Sequence, residues 1–68
     1  MHKFPEEKPK ENLSVIAYTK NGGIYLANYR KSLTWSGYKM QFINTLSRGF
    51  AIDQVIGWNR IPQTTDTL

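Results

Sequence analysis

Ser14-Val15-Ile16-Ala17-Tyr18-Thr19, then Lys20-Asn21-Gly22-Gly23, then Ile24-Tyr25-Leu26-Ala27-Asn28-Tyr29 is the stretch on which the fold turns. Two runs rich in β-branched and aromatic residues flank an Asn-Gly pair. Both of those residue types tolerate positive φ, so the pattern predicts a β-hairpin. In the first run Val15 and Ala17 point one way, Ile16 and Tyr18 the other. Both faces are therefore apolar. Such a strand is covered on both sides, or on one side by its own chain and on the other by a partner.

Downstream, residues 32–37 read as a polar connection carrying Trp35. Residues 38–43 alternate Tyr38, Met40 and Phe42 against Lys39 and Gln41, which predicts a strand. The same stretch also fits a short helix, with Met40, Ile43 and Leu46 on one stripe and Gly49 as its stop. The strand is preferred, followed by a turn or a single helical turn at 44–48. Residues 54–61 read as a last strand, ended by Pro62, which cannot donate to a ladder. Gly57 inside it predicts a bulge, or an aromatic ring packed on bare backbone. Upstream, residues 1–12 combine Pro5 and Pro9 with alternating charges, predicting a flexible, extended N-terminal arm. Residues 62–68 read as a polar tail. The expected fold is mainly β: one small domain, 13–61, built as a single antiparallel sheet of three to four strands on the N-terminal hairpin. It has at most one short helix, a small α+β arrangement being the alternative.

A chain of 68 residues makes one domain with a thin core. It contains no cysteine, so neither a disulfide framework nor a thiolate zinc site adds stability. About three or four strands with one covered face suffice for a stable sheet, and an oligomer that buries the second face is a further solution. No apolar run approaches the roughly 20 residues of a membrane helix, and residues 1–7 lack the apolar core of a signal peptide. The expectation is a soluble, cytoplasmic protein. The net charge of +4 is unevenly placed. In residues 1–12 Lys3, Lys8 and Lys10 cancel Glu6, Glu7 and Glu11. Beyond them, Lys20, Arg30, Lys31, Lys39, Arg48 and Arg60 face only Asp53 and Asp66. This body favours acidic partners, although basic charge also serves solubility alone.

Catalysis has little to draw on. His2 is the one imidazole and lies in the arm, where nothing is expected to hold it in a productive geometry. One His and no Cys give no transition-metal ligand set. Asp53 is the single carboxylate of the body, so no acid–base pair assembles there; a turn or a pairing with Arg48 is its expected role. Gly22-Gly23 lacks the Lys-Ser/Thr of a phosphate loop. No enzyme activity and no cofactor are expected. Binding has more: Tyr18, Tyr25, Tyr29, Trp35, Tyr38 and Trp58 alternate along the chain with Lys20, Arg30, Lys31, Lys39 and Arg60. Such an inventory suits single-stranded nucleic acid or a protein hot spot. It also suits a core filled with rings, and for Trp35 and Trp58, the largest of them, a place in the core is the preferred reading.

Two segments carry a resemblance. One is Lys8-Pro9-Lys10-Glu11-Asn12 leading into Val15-Ile16-Ala17-Tyr18, Gly22-Gly23-Ile24 and Ala27-Asn28-Tyr29. The other is Val55-Ile56-Gly57-Trp58-Asn59-Arg60-Ile61-Pro62. Together they resemble domain-of-unknown-function family 551, common in phages and prophages. Trp58, Ile61 and Pro62 fall where that family's closing Trp, Leu and second Pro stand. Gly57 replaces its His, Arg60 its first closing Pro and Lys8 its Leu, and residues 32–52 have no counterpart. The resemblance implies a phage or prophage origin and a compact antiparallel sheet; it implies no reaction.

The expected function is a non-catalytic interaction protein that binds and modulates, as an inhibitor would, a host macromolecule in the host cell cytoplasm. A host defence or nucleic-acid-processing protein fits that description. Tyr29, Arg30, Lys31, Trp35, Lys39 and Arg48 form the expected exposed binding set. A basic DNA- or RNA-binding accessory module using the same residues is the alternative. An oligomeric sponge for a nucleotide signal is a third reading.

Overall fold

The computed structural model describes residues 1–47 and 49–62. Its strands are β1 (His2–Lys3), β2 (Leu13–Thr19), β3 (Ile24–Thr34), β4 (Gly37–Asn44) and β5 (Val55–Arg60). They form one antiparallel sheet in the order β1-β5-β2-β3-β4. The mainly β expectation stands, and residues 38–43 lie within a strand rather than a helix. No helix occurs among the described residues, so none is long and apolar enough to cross a membrane.

The hairpin of β2 and β3 forms in the expected register, with Val15 opposite Ala27 and Tyr18 opposite Ile24. Its turn is not the tight two-residue kind. Of Asn21 and Gly22, only Gly22 takes a positive φ, +87°. The link is closed by Thr19, whose N–H donates to the Gly23 carbonyl at 2.9 Å. The Thr19 hydroxyl accepts from the Gly23 N–H at 2.9 Å and donates to Asn21 Oδ1 at 2.5 Å, which is why this polar side chain is tolerated in a buried position. A Cβ on Gly23 would lie 2.6 Å from the Tyr25 ring and 2.7 Å from the Thr19 hydroxyl, so a larger residue there must displace both side chains.

The core lies on one face of the sheet. Val15, Ala17, Ala27, Tyr29, Phe42 and Trp58 are buried together, with Phe4, Leu13, Met40, Ile52 and Val55 packed around them. The rings of Tyr29 and Phe42 lie opposite one another across β3 and β4, with centroids 4.8 Å apart.

The cover over this face is the segment set apart from the sequence as a flexible arm. His2 and Lys3 pair with Trp58 and Gly57, adding a fifth strand at the edge. Phe4 then stands edge-on to Phe42, centroids 4.8 Å apart, and Pro9 is buried. The Trp58 indole N–H donates to the Glu7 carbonyl at 2.8 Å. Asn12, at φ 68°, turns the chain into β2 while its N–H donates to the Tyr29 carbonyl at 2.6 Å. The prolines do bar helix from residues 1–12. They do not bar packing, and Phe4 supplies the apolar surface that holds the segment down.

After β4 the chain turns at 45–47 and comes back along the free edge of that strand. The Asn44 N–H donates to the Phe50 carbonyl and the Ile52 N–H to the Phe42 carbonyl, each at 2.8 Å. This return buries Ile43 on the face opposite the core. The Lys20 N–H, bonded to the Gln54 carbonyl at 2.9 Å, then delivers the chain to β5. The bulge expected near Gly57 is present: Tyr18 and Thr19 face Gly57 and Val55, leaving Ile56 as the extra residue. The group lying on the bare Gly57 backbone is the Met1 side chain, not an aromatic ring.

Candidate binding site on the projecting ribbon

Strand β3 is much longer than its neighbour β2. Leu13 opposite Tyr29 is the last pair between them, yet β3 continues through Thr34. From Arg30 outward it pairs with β4 alone, through Arg30–Gln41, Lys31–Met40, Ser32–Lys39, Leu33–Tyr38 and Thr34–Gly37. The result is a two-stranded ribbon projecting beyond the sheet. Residues 32–34, expected in a polar connection, are strand, and the connection shrinks to Trp35 and Ser36. Ser32, Leu33 and Thr34 keep the β alternation, and Gly37, at φ +114°, supplies the turn. The Thr34 hydroxyl pins that turn, donating to the Gly37 carbonyl at 2.7 Å and accepting from the Ser36 N–H at 3.2 Å.

The ribbon has two unlike faces. One continues the core face outward, from Tyr29–Phe42 to Lys31–Met40 and then Leu33–Tyr38. Past the reach of the N-terminal cover it stands open: Leu33 is 68% exposed, Tyr38 73% and Trp35, at the tip, 100%. The other face carries Arg30, Ser32, Thr34, Lys39 and Gln41, all polar or cationic. Arg30, Lys31 and Lys39 are exposed and form no ion pair with a described residue. No acidic residue occurs between Asn12 and Ile52, so their charge is not compensated along the chain either.

Of the binding set expected from sequence, the ribbon brings together Arg30, Lys31, Trp35 and Lys39. Tyr29 is a correction: it is only 4% exposed, because its register opposite Leu13 and Phe42 turns the ring into the core. Arg48 lies outside the described residues. The core position preferred for both tryptophans holds for Trp58 and is corrected for Trp35, which the two-residue turn at the ribbon tip leaves 100% exposed. Leu33, absent from the sequence reading, joins the candidate site, as does Tyr38, which stood among the candidate aromatic residues but not in the expected binding set. The signal was present: the Tyr38-Met40-Phe42 alternation, extended across the turn to Leu33, marks a stripe longer than one small core can cover.

Elsewhere, His2 has a structural role, its ring stacked on Trp58 at 4.3 Å and its Nδ1 3.2 Å from Glu7 Oε2. No cluster of three potential metal ligands occurs among the described residues. A cleft of about 650 Å³ lined by Asn12, Leu13, Ser14, Arg60, Ile61 and Pro62 contains a single cation and no aromatic side chain among the described residues. No family model, no curated protein and no solved structure matches the chain.

Proposed function

We propose that this protein is a non-catalytic interaction protein that binds and modulates a host protein through the β3–β4 ribbon. The observation that carries the reading is the ribbon tip, where Trp35 stands wholly in solvent between the exposed Leu33 and Tyr38. Exposing a large ring on a two-stranded ribbon wins nothing for folding, since a lone hairpin is at best marginally stable in water. Trp, Tyr and Arg are the residues that dominate protein hot spots, and an aromatic anchor at a protruding tip fits a pocket on a partner. The unpaired Arg30, Lys31 and Lys39 favour an acidic rim around that pocket. The phage or prophage setting, the host cytoplasm as the site of action and inhibition as the outcome form part of the proposal; the end-segment resemblance supports them.

Capture from the lysate of a bacterial host tests it, comparing the wild type with Trp35→Ala and with Leu33→Ser/Tyr38→Ser. The expected result is a stoichiometric protein held by the wild type and lost from both variants, whose folds are untouched because these side chains are exposed. Equal retention by all three would overturn the proposal.

A second reading, nucleic-acid binding, is favoured by one feature: the polar face of the ribbon, with Arg30 and Lys39 among hydroxyl and amide side chains. A two-stranded ribbon fits the DNA major groove. On that reading Arg30→Ala/Lys39→Ala weakens retention of duplex DNA and flattens its salt dependence, while Trp35→Ala leaves the slope unchanged.

A further inference from the structure

The sheet face opposite the core is open at its centre, and we infer that a second copy of this chain covers it. Ile16 lies directly opposite Leu26, and Tyr18 opposite Ile24, on that face. Ile24 is 68% exposed and Leu26 40%, in strands that form the middle of the sheet. Flanking this centre, Leu46 and Phe50 are 77% and 73% exposed on the chain segment that leaves β4. Leu46 follows Thr45, whose N–H and hydroxyl both donate to the Leu26 carbonyl. The face is apolar by pattern as well as by accident of exposure, since both runs of the hairpin alternate into it.

Charge, area and stability select the occupant. The face carries no ionised side chain from Ser14 to Tyr18 on β2, from Ile24 to Asn28 on β3, or at Gly57 and Asn59 on β5. Among the described residues, the cations of a chain of net charge +4 lie instead on the ribbon and at the margins. A nucleic acid or an acidic protein would find cations only at the edges of this face, Lys3 opposite Gly57 and Arg30 two residues beyond Asn28, and none over its apolar centre. Two like-charged copies meet here with the least repulsion. Under a two-fold axis the same apolar patch is its own complement. Strand spacing and rise give the face a footprint of about 20 × 20 Å. With side-chain relief and the flanking Leu46 and Phe50, this approaches the roughly 600 Å² per partner at the lower end of stable interfaces. Stability points to the same occupant. A chain of 68 residues without cysteine, whose core is one sheet face under an N-terminal cover, lacks the staples that small domains use, and oligomerisation is the remaining one. Two such faces would stack as the layers of a sandwich about 10 Å apart. The ribbon, on its own part of the sheet, stays free for its partner.

Light scattering coupled to size exclusion, over a wide range of protein concentration, tests this. The wild type and Trp35→Ala are expected at twice 7.9 kDa, and Ile24→Lys/Leu26→Lys at 7.9 kDa. Should the double variant fail to fold, Ile24→Cys supplies the only thiol in the chain, and its labelling rate is expected to fall as protein concentration rises. The inference is overturned by a wild type that stays at 7.9 kDa at every concentration, or by a labelling rate independent of concentration. A dimer that survives Ile24→Lys/Leu26→Lys but dissociates on Trp35→Ala would overturn it equally, by moving the interface to the ribbon.

Discussion

At Tyr29, burial holds the phenol above its ordinary value of 10.0, because ionisation would place a charge against the rings of Phe4 and Phe42. The unfolded phenol ionises first, so the folded state binds this proton more tightly. Stability from this group is therefore complete below pH 10 and declines as pH rises through the interval up to the folded value. Relative to Tyr29→Phe, the wild type is expected to lose at most about 1.4 kcal/mol for each pH unit within that interval. Urea unfolding of both proteins at neutral pH and above pH 10 measures it, and a constant difference between them would contradict the buried ring. The same residue shows how a sequence misleads at this scale. Beside Arg30 and Lys31, Tyr29 reads as the aromatic member of a surface cluster. Alternation alone sends Tyr29 and Arg30 to opposite faces, but which face is inside depends on what lies across from each, here Leu13 and Phe42.

Among the elements, the N-terminal segment departs furthest from its sequence. Its composition is that of a disordered tail, yet it closes the core through Phe4, Pro9 and the Trp58–Glu7 hydrogen bond. Phe4→Ala is expected to cost about 2–4 kcal/mol, near the range for large-to-small changes at packed rings. Lys8→Ala, on an exposed side chain of the same segment, should fall within about 0.5 kcal/mol of the wild type. Denaturant midpoints with unchanged slope would verify both. Equal midpoints for Phe4→Ala and wild type would mean that the segment does not cover the core. The one cue in the sequence is a lone Phe in a charged run, which composition averages away. The β2–β3 hairpin, by contrast, was legible because its information is local: alternation on both sides and a Gly-rich link between them. The ribbon was half legible. Its β4 strand shows in the alternation of 38–43, but nothing near Ser32 announces that β3 continues past the end of β2.

For the whole molecule, stability should be graded along the sheet. The described residues measure 42 × 22 × 22 Å, an elongated shape to which the ribbon contributes. Its middle strands are hydrogen-bonded on both sides, whereas the ribbon has only its own two strands. Hydrogen exchange is expected to be slowest at Val15, Ala17, Ala27 and Tyr29 and fastest, within strands, at Lys31 through Lys39. Uniform protection over both regions would mean that something beyond this chain's own packing holds the ribbon. Fraying of this kind suits a binding element, because its ordering cost is met when the partner is engaged.

The sequence by itself determined the class of fold, the first hairpin and the two-sided apolar character of its strands. It also located the uncompensated positive charge beyond residue 12. These are properties of neighbouring residues and of the two-residue period of a strand, so they need no knowledge of distant parts. Tertiary structure decided which apolar face the chain covers and with what, sending Trp58 inward and leaving Trp35 in solvent. It also decided that β3 outruns β2 and so makes a ribbon. Each of these depends on register and on contacts between residues far apart in the chain, where packing, not local preference, sets the outcome.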